Sequence, residues 1–153
     1  MSSRPPVSEL SAHVGFWLRL VSNHVSQAFA AKLAEEGVTV AEWCLMRTLY
    51  GRAPTPPSRV ADDMGMTRGA ITKLADRLIA KGLIAREAST NDGRAQTLAL
   101  TRRGDDLVPK LAALADRNDA EFFDRLTSAE RETLERLLKS LAERARMTAI
   151  PIE

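Results

Sequence analysis

Five residues in a run of seven, Thr67, Arg68, Gly69, Thr72 and Lys73, have the types and spacing to grip a polyanion. On a helix whose inner face is Ile71, Leu74 and Leu78, they fall on the outer face, with Asp76 at its margin. A guanidinium such as Arg68 offers two parallel donors, which the O6 and N7 of guanine accept together. Thr72 suits a base edge or a thymine methyl, and Lys73 suits a phosphate. Ser58 can offer its hydroxyl to a second phosphate, though it also reads as a plain helix-start residue. Arg77 and Arg86 either reach a nucleic acid or brace a hairpin against the helix. Arg94 follows the turn Asn91-Asp92-Gly93 and is placed to enter a minor groove, with Asp92 orienting it, since phosphates repel a carboxylate. The same outer face also fits a merely solvated surface.

Other chemistry is poorly provided for. His13 and His24 stand too far apart on one helix to share an ion, and no Cys-x-x-Cys or His-Glu-x-x-His spacing occurs. There is no glycine-rich phosphate loop and no nucleophile elbow, so no catalytic residue, metal or cofactor is expected, and the chain reads as a non-enzyme. The one thiol, Cys44, excludes an internal disulfide and, between Trp43 and Leu45, reads as a small buried hydrophobe. The uncharged stretch Leu10 to Leu18 is too short for a bilayer, and no signal peptide is evident, so a cytoplasmic location without membrane contact is expected. The net charge is only +2, but from Arg52 to Arg103 ten basic residues face five acidic ones. A basic centre between acidic ends is the electrostatic footprint of a nucleic-acid binder.

The elements that must position these groups are legible. Glycine (8) and proline (7) are sparse among 153 residues, which favours helices over a β-sandwich. Leu10, Val14, Trp17, Val21, Val25, Phe29 and Leu33 predict an amphipathic helix over 9–36, capped by Ser8 and closed by Gly37. Thr39 and Glu42 predict a capping box for a second helix, running to about Tyr50 with Trp43, Met46 and Leu49 inward. Thr55-Pro56 suits a cap and first position for a short helix to Met64. Gly65 breaks it, and Thr67 caps the next, to Lys81. Alternation over 83–87 and 95–100 around Asn91-Asp92-Gly93 predicts a β-hairpin. Thr101 caps a helix to Phe123 that Pro109 should kink, and Thr127 with Glu130 caps a last helix to about Met147. The order is mainly α with one β-hairpin, an α+β winged helix-turn-helix. The small Ala61, the turn at Gly65, and Ile71 with Leu74 supply the packing positions of that motif.

Over 38–104 the sequence resembles the MarR family of bacterial regulators. The likeness lies in Val38-Thr39-Val40-Ala41-Glu42-Trp43, in Val60 to Arg68, in Ile71 to Leu78, and in Lys81-Gly82-Leu83-Ile84. It continues through Asp92-Gly93-Arg94 and Leu100-Thr101-Arg102-Arg103-Gly104. The resemblance implies one unit over 1–153, with a DNA-binding lobe at 38–103 and dimerisation helices at 8–36 and 104–147. It further implies a homodimer on a palindromic operator in double-stranded DNA, usually a repressor released by a small phenolic or aromatic acid or by cysteine oxidation. The family's peroxide sensors keep their cysteine near the start of the chain, where this sequence has none. For an acid effector, His13 and Trp17 with Trp43 and Arg47 could line a pocket, the arginine meeting the carboxylate. Taken singly, Trp17 and Trp43 read first as plain core, and His13 and Arg47 as surface residues. The rival function is a winged helix used for protein contacts without sequence-specific DNA binding, against which the basic centre argues.

Overall fold

Threonine hydroxyls start four of the six α-helices in a computed structural model that describes residues 4–88 and 96–153. The helices are α1 (Val14–Glu35), α2 (Val40–Leu49), α3 (Pro57–Met64), α4 (Arg68–Ala80), α5 (Arg102–Phe123) and α6 (Ser128–Arg144). Strands β1 (Ile84–Ala88) and β2 (Gln96–Leu100) lie between α4 and α5. Thr39, Thr67, Thr101 and Thr127 each accept the backbone N–H three residues on, at 3.1–3.2 Å. Glu42 and Glu130 close full capping boxes by accepting the N–H of Thr39 and Thr127. No helix among the described residues is long and apolar enough to cross a membrane.

β1 and β2 pair antiparallel, Ile84 opposite Leu100 and Ala88 opposite Gln96. Thr55 adds a third rung: its N–H donates to Leu98 O at 2.9 Å, and its O accepts from Leu98 N at 2.8 Å. This bridge corrects one boundary. With both backbone groups of Thr55 spent on β2, the cap of α3 falls on Pro56 and the first helical position on Pro57. The start of α1 also moves. Ser8 caps nothing; a short 3-10 turn at Leu10–Ala12 precedes the helix, and His13 stands at its cap. Carbonyls that would have begun an α ladder are engaged elsewhere, Ser11 O with the Trp17 indole N–H at 2.9 Å and Leu10 O with the His13 ring at 3.2 Å. At the other end, α6 stops at Arg144, short of Met147, because Arg146 turns left-handed (φ +53°). α5 continues through Pro109.

Leu83 serves the end of α4 instead of opening β1. Its N–H donates to Leu78 O, while that of Gly82 donates to Ile79 O, a Schellman closure that needs the left-handed Gly82 (φ +72°). The core gathers where α2, α3, α4, the hairpin and the start of α5 meet, from Leu45, Met46, Val60, Met64, Ile71, Leu78, Ile84, Leu98, Val108 and Leu111. Ala61 is buried at the α3–α4 crossing, as a small residue there requires. Away from this core, α6 buries no residue, and Val14, Leu18, Leu20, Leu137, Leu138 and Leu141 are exposed. Lys32 joins α1 to α5 by donating to Asn118 Oδ1 at 2.9 Å, and Asn118 donates to Val25 O at 3.2 Å.

Gly104, in the first turn of α5, lies so close to the end of α4 that an added Cβ would stand 2.1 Å from Leu83 O. Backbone cannot yield as a side chain does, so Gly104→Ala is expected to destabilise the fold by at least about 1–3 kcal/mol. Thermal unfolding checks this; an unchanged melting temperature would refute the close packing of α4, β1 and α5.

Candidate nucleic-acid interface

Gly65 (φ +65°) reverses the chain between α3 and α4, and the hydroxyl of Thr67 receives the N–H of Ala70, one of the free donors in the first turn of α4. Ile71, Leu74, Ala75 and Leu78 bury one face of α4. Arg68, Gly69, Thr72, Lys73, Asp76 and Arg77 lie on the exposed face, Thr67 is exposed at the cap, and Ser58 is exposed in the first turn of α3. The geometry divides these groups. Arg68 and Lys73 have no carboxylate partner among the described residues, whereas Arg77 and Arg86 are engaged. Arg77 donates to Thr39 Oγ1 at 3.1 Å and lies 3.3 Å from a Glu42 oxygen. Arg86, on β1, pairs with Asp76 and so ties the hairpin to α4. In this structure Arg77 braces α4 against α2, and Arg86 braces the hairpin strand against α4. Thr72 Oγ1 donates to Arg68 O at 2.9 Å, which leaves its methyl and its lone pairs for a contact. Gly69 has nothing within 4 Å of the place a Cβ would occupy, so a flat backbone patch lies open beside Arg68. Asp92 and Arg94 lie outside the described residues.

The element that holds this face was read only in part from sequence. Glu42 caps α2 as expected, yet its side chain is fully buried and serves the far end of α4 as well. One carboxylate oxygen accepts from Lys81 Nζ at 2.9 Å, from Thr39 N at 2.9 Å, and faces Arg77 at 3.3 Å. Lys81 also donates to Gly37 O at 2.8 Å, so it clamps both sides of the entry to α2. The other oxygen of Glu42 is buried without a partner among the described residues. Burial pushes the Glu42 carboxyl upward, but the Lys81 ammonium and the hydrogen bonds from Thr39 more than offset it and hold the group below the ordinary value. No spacing rule links positions 42 and 81; the signal sits in the fold alone.

The four candidates for an acid pocket are not joined. Trp17 packs edge-on against Phe16 at 5.2 Å, and its indole N–H is used by Ser11. His13 is bonded locally, Trp43 is half-buried against the core, and Arg47 lies over the Tyr50 ring at 5.8 Å. Among the described residues, no hydrogen bond, ion pair or ring contact links the α1 pair to the α2 pair. Cys44 is half-buried, and burial pushes its thiol up, away from the reactive thiolate.

A helix-turn-helix with an exposed cationic second helix, followed by a hairpin bridged back to the preceding loop, defines the winged helix-turn-helix class. Residues 36–95 match the model of the MarR family. A candidate transcriptional regulatory protein for the hcr operon of Thauera aromatica is 32% identical over 133 residues, which cover 86% of this chain and 80% of that protein. A mutant MarR from E. coli, solved in complex with operator DNA, superposes with a TM-score of 0.74 at 26% identity, covering 84% of this chain and 92% of that one. The MarR family protein Rv2887 of Mycobacterium tuberculosis, also named an HTH-type transcriptional repressor, is 28% identical over 85% of this chain and 94% of its own. Its complex with p-aminosalicylic acid superposes with a TM-score of 0.65 at 26% identity, covering 85% and 98%. The chain belongs to the MarR family, which is a family of transcriptional regulators and not of enzymes.

Glu42→Gln keeps a capping oxygen but removes the charge facing Lys81 and Arg77, and should cost about 1–3 kcal/mol near neutral pH. A carboxylate held below its ordinary value contributes its stability in full above that value, 4.5, and loses it as the pH falls through the depressed one. Chemical denaturation at a series of pH values should therefore find the variant and the native protein converging in acid. A gap that stays constant down to the acid limit would remove the charge from the account.

Proposed function

We propose that this chain is a homodimeric repressor that reads a palindromic operator with α4 and is released by a small aromatic acid. The observation that carries the reading is the division among the cations of α4. Arg77 is engaged by Glu42 and Thr39, while Arg68 and Lys73 stand exposed, without a carboxylate partner among the described residues, beside the open backbone of Gly69. Arg68 then reads guanine, Thr72 meets a thymine methyl, and Lys73 and Ser58 meet phosphates. Thr67 caps the helix whose positive end faces the duplex, and Arg94 with Asp92 is assigned to the minor groove. Dimerisation is supported by the exposed apolar stripes of α1 and α6, which no other described part of this chain covers. The E. coli relative, solved with operator DNA, supports the operator. Rv2887 supports both the repressor role and the aromatic acid. Arg47, exposed and without a carboxylate partner among the described residues, is the group we assign to the acid's carboxylate, with Trp43 beside it on α2; His13 and Trp17 would join them only through a rearrangement or a second copy of the chain. Action on chromosomal DNA would place the protein in the cytoplasm.

The deciding experiment is a gel shift on the DNA upstream of its own gene against random duplex, repeated across salt. Specific binding should exceed random by roughly a thousandfold or more. Equal, shallow binding to both would favour a protein-contact module. Arg68→Ala should cost about 1–3 kcal/mol on the operator and relax preference at one base position, whereas Lys73→Ala should weaken both duplexes alike and lower the salt slope by about one. Equal losses for Arg68→Ala on operator and random DNA would reduce it to a phosphate contact.

Gly69→Ala separates stability from recognition. A helical alanine in place of glycine, with open space for its methyl, should raise stability by up to about 1 kcal/mol. Operator affinity should nevertheless fall, because the methyl holds the duplex off the backbone. A variant both more stable and equally tight on DNA would show that nothing approaches α4 there.

A further inference from the structure

Beyond α6 the chain returns to the helix-turn-helix. Arg146 reverses it in the left-handed region, and Ile150 N–H donates to Met64 O at 3.1 Å. Met64 is the last residue of α3, where a carbonyl has no partner within its own helix, so the returning segment satisfies an orphan acceptor. One residue earlier, Ala149 lies against the turn itself. A Cβ on Gly65 would stand 2.7 Å from Ala149 Cα. Gly65 is thus fixed by two independent demands, its positive φ and this approach. On α2, the Cys44 thiol donates to Pro151 O at 3.7 Å, and Ile150 and Ile152 pack on the buried core. Hydrogen bonds, close backbone approach and apolar burial therefore all place one segment on one face.

We propose that Ala149–Ile152 is a clasp that docks on the face formed by Cys44, Met64 and Gly65 and holds the turn that sets the angle of α4. The clasp joins the arm bearing Leu137, Leu138 and Leu141 to the turn between the two helices of the motif, a second connection besides α5. Displacing the arm withdraws the clasp, frees Met64 O and loosens the turn. The docking stands on the contacts alone; its effect on DNA rests on the reading that α4 binds an operator.

Cys44 is the only thiol in the chain, so its modification reports docking directly. Two variants are compared with the native dimer: one ending at Thr148, and full-length Ile150→Asp, which sets a charge against the core. The rate of Cys44 modification by an aromatic disulfide reagent should rise roughly tenfold or more in both, as expected when a local cover is lost. In the native protein, the Ile150 amide should exchange with solvent far more slowly than in a free peptide, a measurement that needs no variant. Native-like thiol rates in both variants, or peptide-like exchange at Ile150, would overturn the docking. Operator affinity should fall by roughly tenfold in the variants with the dimer mass unchanged. Faster thiol reaction with unaltered operator binding would overturn the control of α4. Absence of operator binding by the native protein would count against the functional reading, while thiol rates and amide exchange still decide the clasp.

Discussion

The winged helix-turn-helix is organised around one buried negative charge. A carboxylate with no access to water costs several kcal/mol unless its surroundings supply opposite charge and hydrogen bonds. Glu42 obtains both by drawing in Lys81 and Arg77 from the end of α4 and the N–H of Thr39 from the start of α2. Because the cost of leaving it unpaired is large, the two helices have one favourable mutual placement. The outward face of α4 follows from that placement, and so does the entry of Lys81 into the Schellman turn that launches β1.

The same economy explains why four neighbouring cations have different fates. Arg77 and Arg86 lie where a carboxylate of another element comes within reach, Glu42 on α2 and Asp76 on α4, and are drawn into the architecture. Arg68 and Lys73 sit in the first turns of α4, beyond any such carboxylate among the described residues. Exposed ion pairs contribute little to stability, so this arrangement is better understood as steering. On the proposed reading, it quenches charges that would blur a footprint and leaves Arg68 in the first turn of α4, where the helix dipole is also positive, with Lys73 one turn further on.

What was legible in the sequence was local. The capping hydroxyls of Thr39, Thr67, Thr101 and Thr127 act across three residues, and the apolar spacing of Ile71, Leu74 and Leu78 repeats within one helix, so each carries its own signal. Boundaries shifted where a distant partner intervened. Thr55 looks like a helix cap until Leu98, across the lobe, takes both of its backbone groups. Ser8 looks like a cap until the Trp17 indole and the His13 ring take up carbonyls of the preceding turn. The outer face of α4 followed from periodicity, but nothing in periodicity separates a free arginine from a tied one. Residue 77 needed residue 42, and residue 42 needed residue 81.

The bareness of α6 has a consequence for how such a regulator counts its own copies. A helix that buries none of its residues against its own chain gains little by folding alone, so on the proposed reading its ordering is a second-order event. The population able to occupy an operator then rises faster than linearly with synthesis. Dilution at cell division lowers occupancy more steeply than it lowers protein, which sharpens the response of a circuit without any cooperativity between sites on the DNA.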